Sequence, residues 1–141
     1  MDELTKIREG ISRLPKEIIN LILFYSHSYQ PKYLLDDIKN VHIVKKGLLQ
    51  KYWSCWEDDD ESNDWLINDI FSYVNKYRPL MVGYVDNFYN IFFRHVRLKN
   101  KLQVDKYIKK MEKNSVVSQI NIFLGLLTPE ERNDFFTSIF W

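Results

Sequence analysis

The stretch "LPKEIINLILFY", Leu14 to Tyr25, most constrains what this chain can fold into. Ile18, Leu21, Ile22 and Tyr25 recur at spacings of three and four, the period of a helix face, and Pro15 suits a first helical position. Ile19 and Leu23 put a second apolar face on the same helix of about 11 residues. Such a helix needs both a core and a cover, so its neighbours or a partner must enclose it.

The rest of the chain repeats the helical period. Gln30-Pro31 opens a second helix with Leu34, Leu35, Ile38 and Val41 on one face, and Gly47 offers a break before "LLQKYWSCW". Ser26 to Gln30 reads as a short loop. Asn63 or Asp64 can cap a helix carrying Trp65, Leu66, Ile70, Phe71, Val74 and Tyr77, which Arg78-Pro79 ends. Tyr84 to Phe92 forms a strongly apolar helix, and Val104, Tyr107, Ile108 and Met111 make a narrow stripe on a basic one. Asn114-Ser115 interrupts the chain before "VVSQINIFLGLL".

In "LTPEERNDFFTSIFW", Thr128 is placed as N-cap, Pro129 at the first helical position and Glu131 to complete a capping box. The apolar end, Ile139, Phe140 and Trp141, is expected to be tied into the core. "NVHIVKKG" is the best strand candidate and serves equally as a continuation of the second helix. Four glycines and four prolines are too few for the turns of an all-β barrel. The expected fold is therefore all-α, a compact bundle of about seven short helices.

With 141 residues, 45% of them hydrophobic, the chain has the size of one domain with an ample core. "EDDDES", residues 57 to 62, has five carboxylates in six positions and reads as an exposed acidic loop. It is also the one candidate boundary, between an N-terminal helical segment, residues 1–56, and an aromatic-rich helical segment, residues 63–141, packed on it as one domain. The N-terminus, "MDELTKIREG", lacks the apolar core of a signal peptide, and no run approaches a membrane span, so no membrane partner is expected. A single cysteine, Cys55, fits a reducing compartment.

Chemistry finds little support. His27, His42 and His95 are widely separated and Cys55 has no CxxC partner, so no metal site is expected. Cys55 lies between Trp53 and Trp56, an apolar setting in which a thiol is inert. Gly10, Gly47, Gly83 and Gly125 are isolated and form no phosphate loop, and the acidic run lacks the glycine that an EF-hand turn requires. Asp36-Asp37 and Glu130-Glu131 are neighbours on helices, pointing about 100° apart, which is no catalytic dyad. No cofactor and no enzymatic activity are expected.

Residues 94 to 113, "RHVRLKNKLQVDKYIKKMEK", carry eight Lys or Arg against Asp105 and Glu112. Arg94, Arg97, Lys106, Lys109, Lys110 and Lys113 are the residues there that can contact nucleic acid, although the formal charge of the whole chain is only +1. A solvated helix face, balanced by the acidic run, is the plainer reading of them.

Leu14-Pro15-x-Glu17-Ile18-x-x-x-Ile22-Leu23-x-Tyr25 resembles the opening of the F-box motif. In that family the Leu-Pro turn and its helix dock on a Skp-type adaptor of a ubiquitin ligase. The resemblance implies that Leu14, Pro15, Ile18, Ile22 and Leu23 contact such a partner. After Tyr25 the family has a leucine and a short turn, where this chain has the longer "SHSYQPKYLL", and "KYW" at 51–53 matches the motif's end only loosely.

Alanine is absent while Ile, Lys, Asn, Tyr and Phe, with AT-rich codons, are plentiful. The two ends of the chain also resemble small proteins of the large nucleocytoplasmic DNA viruses. That resemblance implies a viral interaction protein of the host cytoplasm or the virion, either an F-box-like adaptor or a structural component such as a minor capsid or internal virion protein.

Overall fold

A computed structural model of the chain describes residues 2–26, 30–56 and 58–139. Among them the protein is all-α: eight helices and one 3-10 turn at Leu80–Val82, with no strand. The helices are α1 (Glu3–Ser12), α2 (Lys16–Ser26), α3 (Lys32–Cys55), α4 (Asp59–Val74), α5 (Asp86–Phe92), α6 (Lys101–Met111), α7 (Val116–Leu126) and α8 (Pro129–Ser138). They divide into two compact units, Met1–Leu35 and Asp36–Trp141, each described by itself.

In the first unit, α1 falls outside the helices expected from the sequence, although Leu4, Ile7 and Ile11 recur at spacings of three and four, the period of a helix face. The Pro15 carbonyl accepts from the amides of Ile18 and Ile19 at 3.0 and 3.1 Å, so α2 begins one residue after the proline. The loop expected at 26–30 falls partly on residues 27–29, outside the described residues, and Ser26 belongs to α2.

In the second unit, α3 continues through Gly47, where the sequence suggests a break. The glycine serves packing instead: a Cβ there would lie 2.8 Å from Cε2 of Phe136 on α8. Gly47→Leu should therefore lower stability by about 1–3 kcal/mol in a urea melt, although leucine is the better helix former. "NVHIVKKG" lies wholly within this helix.

The acidic run is not a loop beyond Glu57, which lies outside the described residues. The Asp58 carboxylate accepts from the Asp60 amide at 3.0 Å as an N-cap, and Asp59, Asp60 and Glu61 form the first turn of α4. Three carboxylates there meet the positive end of the helix dipole, so the same charges that suggested a loop start a helix. The expected cap at Asn63 or Asp64 is accordingly displaced to Asp58.

α4 ends at Val74, before Arg78-Pro79, because Lys76 and Tyr77 adopt left-handed backbone conformations (φ 54° and 59°). The buried Asn75 side chain then organises the following turn. Its Nδ2 donates to the carbonyls of Arg78 and Gly83 at 3.0 and 3.2 Å, and its Oδ1 accepts from the Val85 amide at 2.9 Å. Gly83 has φ +95°, a conformation that side chains disfavour.

The core forms where α4 packs on α7 and α5 packs on α4 and α6. Leu66, Ile70 and Val74 meet Ile120, Phe123 and Leu124 in one cluster of buried side chains. Phe88 is its aromatic hub, stacked on Tyr84 at 4.1 Å and Phe92 at 5.0 Å, with Phe71 and Phe123 within 6.4 Å. On α6, Val104, Ile108 and Met111 are buried and Tyr107 half-buried, as the apolar stripe requires.

α8 has the expected start. The Glu131 amide donates to Thr128 Oγ1 at 3.2 Å while the Glu131 carboxylate accepts from the Thr128 amide at 2.9 Å. Ile139 packs against the core, and Phe140 and Trp141 lie outside the described residues.

Candidate docking face

Leu14 and Pro15 precede α2, and Ile18 and Ile22 follow one helical turn apart, with Leu23 about 100° around the axis. Ile18, Ile22 and Leu23 are 42%, 48% and 49% exposed, and α2 contains no buried residue. Leu21 and Phe24, which the motif does not single out, and Tyr25, which closes it, are exposed as well, with the Phe24 and Tyr25 rings edge to face at 5.6 Å. Six exposed apolar side chains on one short helix are the kind of surface that marks an interaction site.

The second unit holds its polar side chains differently. Arg94 forms a two-pronged ion pair with Glu131, at 2.6 and 2.8 Å, and also donates to the Leu126 carbonyl. The guanidinium bond to Glu131 holds the carboxyl below its ordinary range against the opposing effect of burial. Arg94, though exposed, is thus committed to the fold, whereas the exposed Arg97, Lys106, Lys109, Lys110 and Lys113 form no ion pair among the described residues.

No group of metal-ligating side chains occurs among the described residues. His27 lies outside them, His42 is exposed, and His95 leans on Tyr107 with ring centroids 5.4 Å apart. Cys55, expected in an apolar core setting, is exposed at the end of α3. No helix among the described residues is long and apolar enough to cross a membrane.

A cavity of about 460 Å³ within the second unit has no counterpart in the sequence pattern. Trp56 and Trp65, stacked at 5.2 Å, Tyr77 and Phe135 contribute apolar wall, and the Tyr52 hydroxyl donates to the Asp69 carboxylate in its lining. Burial, and then the Asp69 bond, raises the Tyr52 phenol well above its ordinary range, so it stays neutral. Only the meeting of α3, α4 and α8 creates this space, and residues so far apart in the chain carry no shared spacing signal.

Burial first and a carboxylate bond second also raise Tyr73, paired with Asp134, and Tyr89, pushed up to about 12 beside Asp105. A phenol whose folded pKa exceeds its unfolded value stabilises the fold fully below about pH 10, and that contribution is lost as pH rises through the folded value. Melts between about pH 9 and 12 should show falling stability, with late phenolate absorbance from Tyr52, Tyr73 and Tyr89. Replacing the three by Phe should flatten that fall.

No family model, curated protein or solved structure matches the chain.

Proposed function

We propose that the protein is a non-enzymatic interaction protein of a large DNA virus, acting in the host cytoplasm as an F-box-like adaptor that docks a Skp-type ubiquitin-ligase component through Leu14 to Tyr25. The observation that carries this reading is the exposure of Ile18, Ile22 and Leu23 on a helix with no buried residue. Covering a half-exposed Ile or Leu gains on the order of 1 kcal/mol. An isolated helix of 11 residues is marginal in water, so a partner that covers α2 also stabilises it. Leu14, Pro15, Ile18, Ile22 and Leu23 form the contact, and the unit Asp36–Trp141 is left to recognise a second protein.

Affinity capture of the tagged chain from infected cells, beside a Leu14→Asp/Ile22→Asp variant shown by circular dichroism to be folded, tests the reading. A Skp-type adaptor should be recovered with the unchanged chain alone. Identical partners for both chains, or no such adaptor with either, would overturn it.

A second reading, a structural component of the virion, is favoured by a different feature. Leu80, Met81 and Val82 form an exposed apolar knob, Met81 at 98%, on the turn held by Asn75. Recovery of a stoichiometric virion protein that survives the α2 changes and is lost on Met81→Asp would establish this reading instead.

A further inference from the structure

We infer that the outer face of α6, continued by Arg97 and Lys99, binds the phosphate backbone of duplex nucleic acid. The buried stripe Val104, Ile108 and Met111 fixes which way α6 faces. Lys106, Lys109 and Lys110 then share about 100° of arc on the opposite side, and Lys113 follows in the turn. All are exposed, and none is in an ion pair among the described residues.

The two acidic side chains of the segment form no ion pair with these lysines among the described residues. Asp105 accepts from the Tyr89 hydroxyl at 2.9 Å, and Glu112 lies to the side of the lysines. Lys109 and Lys110 also offset the negative end of the α6 dipole, but Lys106, Arg97 and Lys99 lie too far from that end for the same explanation.

A cleft of about 260 Å³ adjoins the face, bordered by Arg97, Lys110, His95 and Asn114. The Arg97 amide donates to His95 Nδ1 at 3.2 Å, so a neutral His95 carries its proton on Nε2. Leu98, Tyr107 and Met111 complete its lining, so the charges of Arg97 and Lys110 are what a phosphate would meet at its rim.

Duplex is favoured over single strands by what the face lacks. Single-strand binders stack bases on exposed aromatic rings, whereas Tyr107 is half-buried against Phe92 and His95. The remaining exposed side chains of the helix, Lys101, Leu102 and Gln103, offer no stacking platform. Contacts of this type read charge and spacing and carry no base preference.

The test is binding of the full chain to a fluorescent duplex DNA of arbitrary sequence across a salt series. About four phosphate contacts predict roughly 100-fold weaker binding at 200 mM than at 50 mM salt. Lys106→Gln/Lys110→Gln, with an unchanged circular dichroism spectrum, should reduce the slope of log affinity against log salt by about 2. Absence of binding at 50 mM salt, binding insensitive to salt, or an unaffected variant overturns the proposal. So does a preference for the single strand, or for vesicles of anionic phospholipid, over the duplex.

Discussion

Arg132→Ala should lower the unfolding free energy by about 3–5 kcal/mol, a large share of the stability of a domain this size. The Arg132 side chain is only 1% exposed and joins three helices. Its Nε donates to the Leu124 carbonyl of α7 at 2.6 Å, and its Nη1 donates to Asp37 and Asn40 of α3 at 2.6 and 3.0 Å. Truncation leaves the buried Leu124 carbonyl and the partly buried Asp37 and Asn40 oxygens without this donor, and a void where the stem packed, and both effects act in the same direction. Arg132→Met should recover some of the loss, because it refills the volume while carrying no charge. Asp37→Ala should also destabilise, since it strands a buried guanidinium. Urea unfolding of the three variants checks the order; a loss below about 1 kcal/mol for Arg132→Ala would show that this network does not hold α3, α7 and α8 together.

Phe88→Ala should cost a similar amount, about 3–5 kcal/mol. Phe88 is fully buried and touches Tyr84, Phe71, Phe92 and Phe123, so removing its ring opens a cavity shared by α4, α5 and α7. The short helix α5 has seven residues and little stability of its own, so it depends on this ring for attachment. Unfolding should accordingly become less cooperative near residues 84–93 as well as easier. Phe88→Leu, which keeps more of the volume, should be milder. Equal effects of the two substitutions would contradict the central place given to the ring.

Features that depend on neighbouring residues are legible in the sequence. The Thr128 capping box needs four consecutive residues, and the stripe of α6 needs one helix face, so both can be read directly. The helix α2 reads with the right length, about 11 residues, because its period is carried by its own side chains. Misreadings arise where a distant contact reverses a local preference. Gly47 looks like a helix break until Phe136 is placed beside it. The carboxylates at 58–61 are misread for a local reason instead: their charge suggests a solvated loop, yet Asp58 caps the helix that the others open. Arg94 looks like one more cation of a basic segment until Glu131, 37 positions away, claims it. The Tyr52–Asp69 pair and its cavity, and Asn75 with its turn, rest wholly on such contacts and have no sequence signal. Exposure of α2 is likewise a property of the fold, since the same apolar pattern describes a buried helix equally well.

That exposure is what the docking account rests on, and a binding titration addresses it directly. Purified chain should bind a purified Skp-type adaptor, and Ile22→Asp should weaken the complex by roughly 100-fold, equivalent to about 2.7 kcal/mol, while leaving the melting temperature of the isolated chain unchanged. Absence of binding by the unchanged chain, or equal binding by the Ile22→Asp chain, would contradict the assignment of Leu14 to Tyr25 as the docking face.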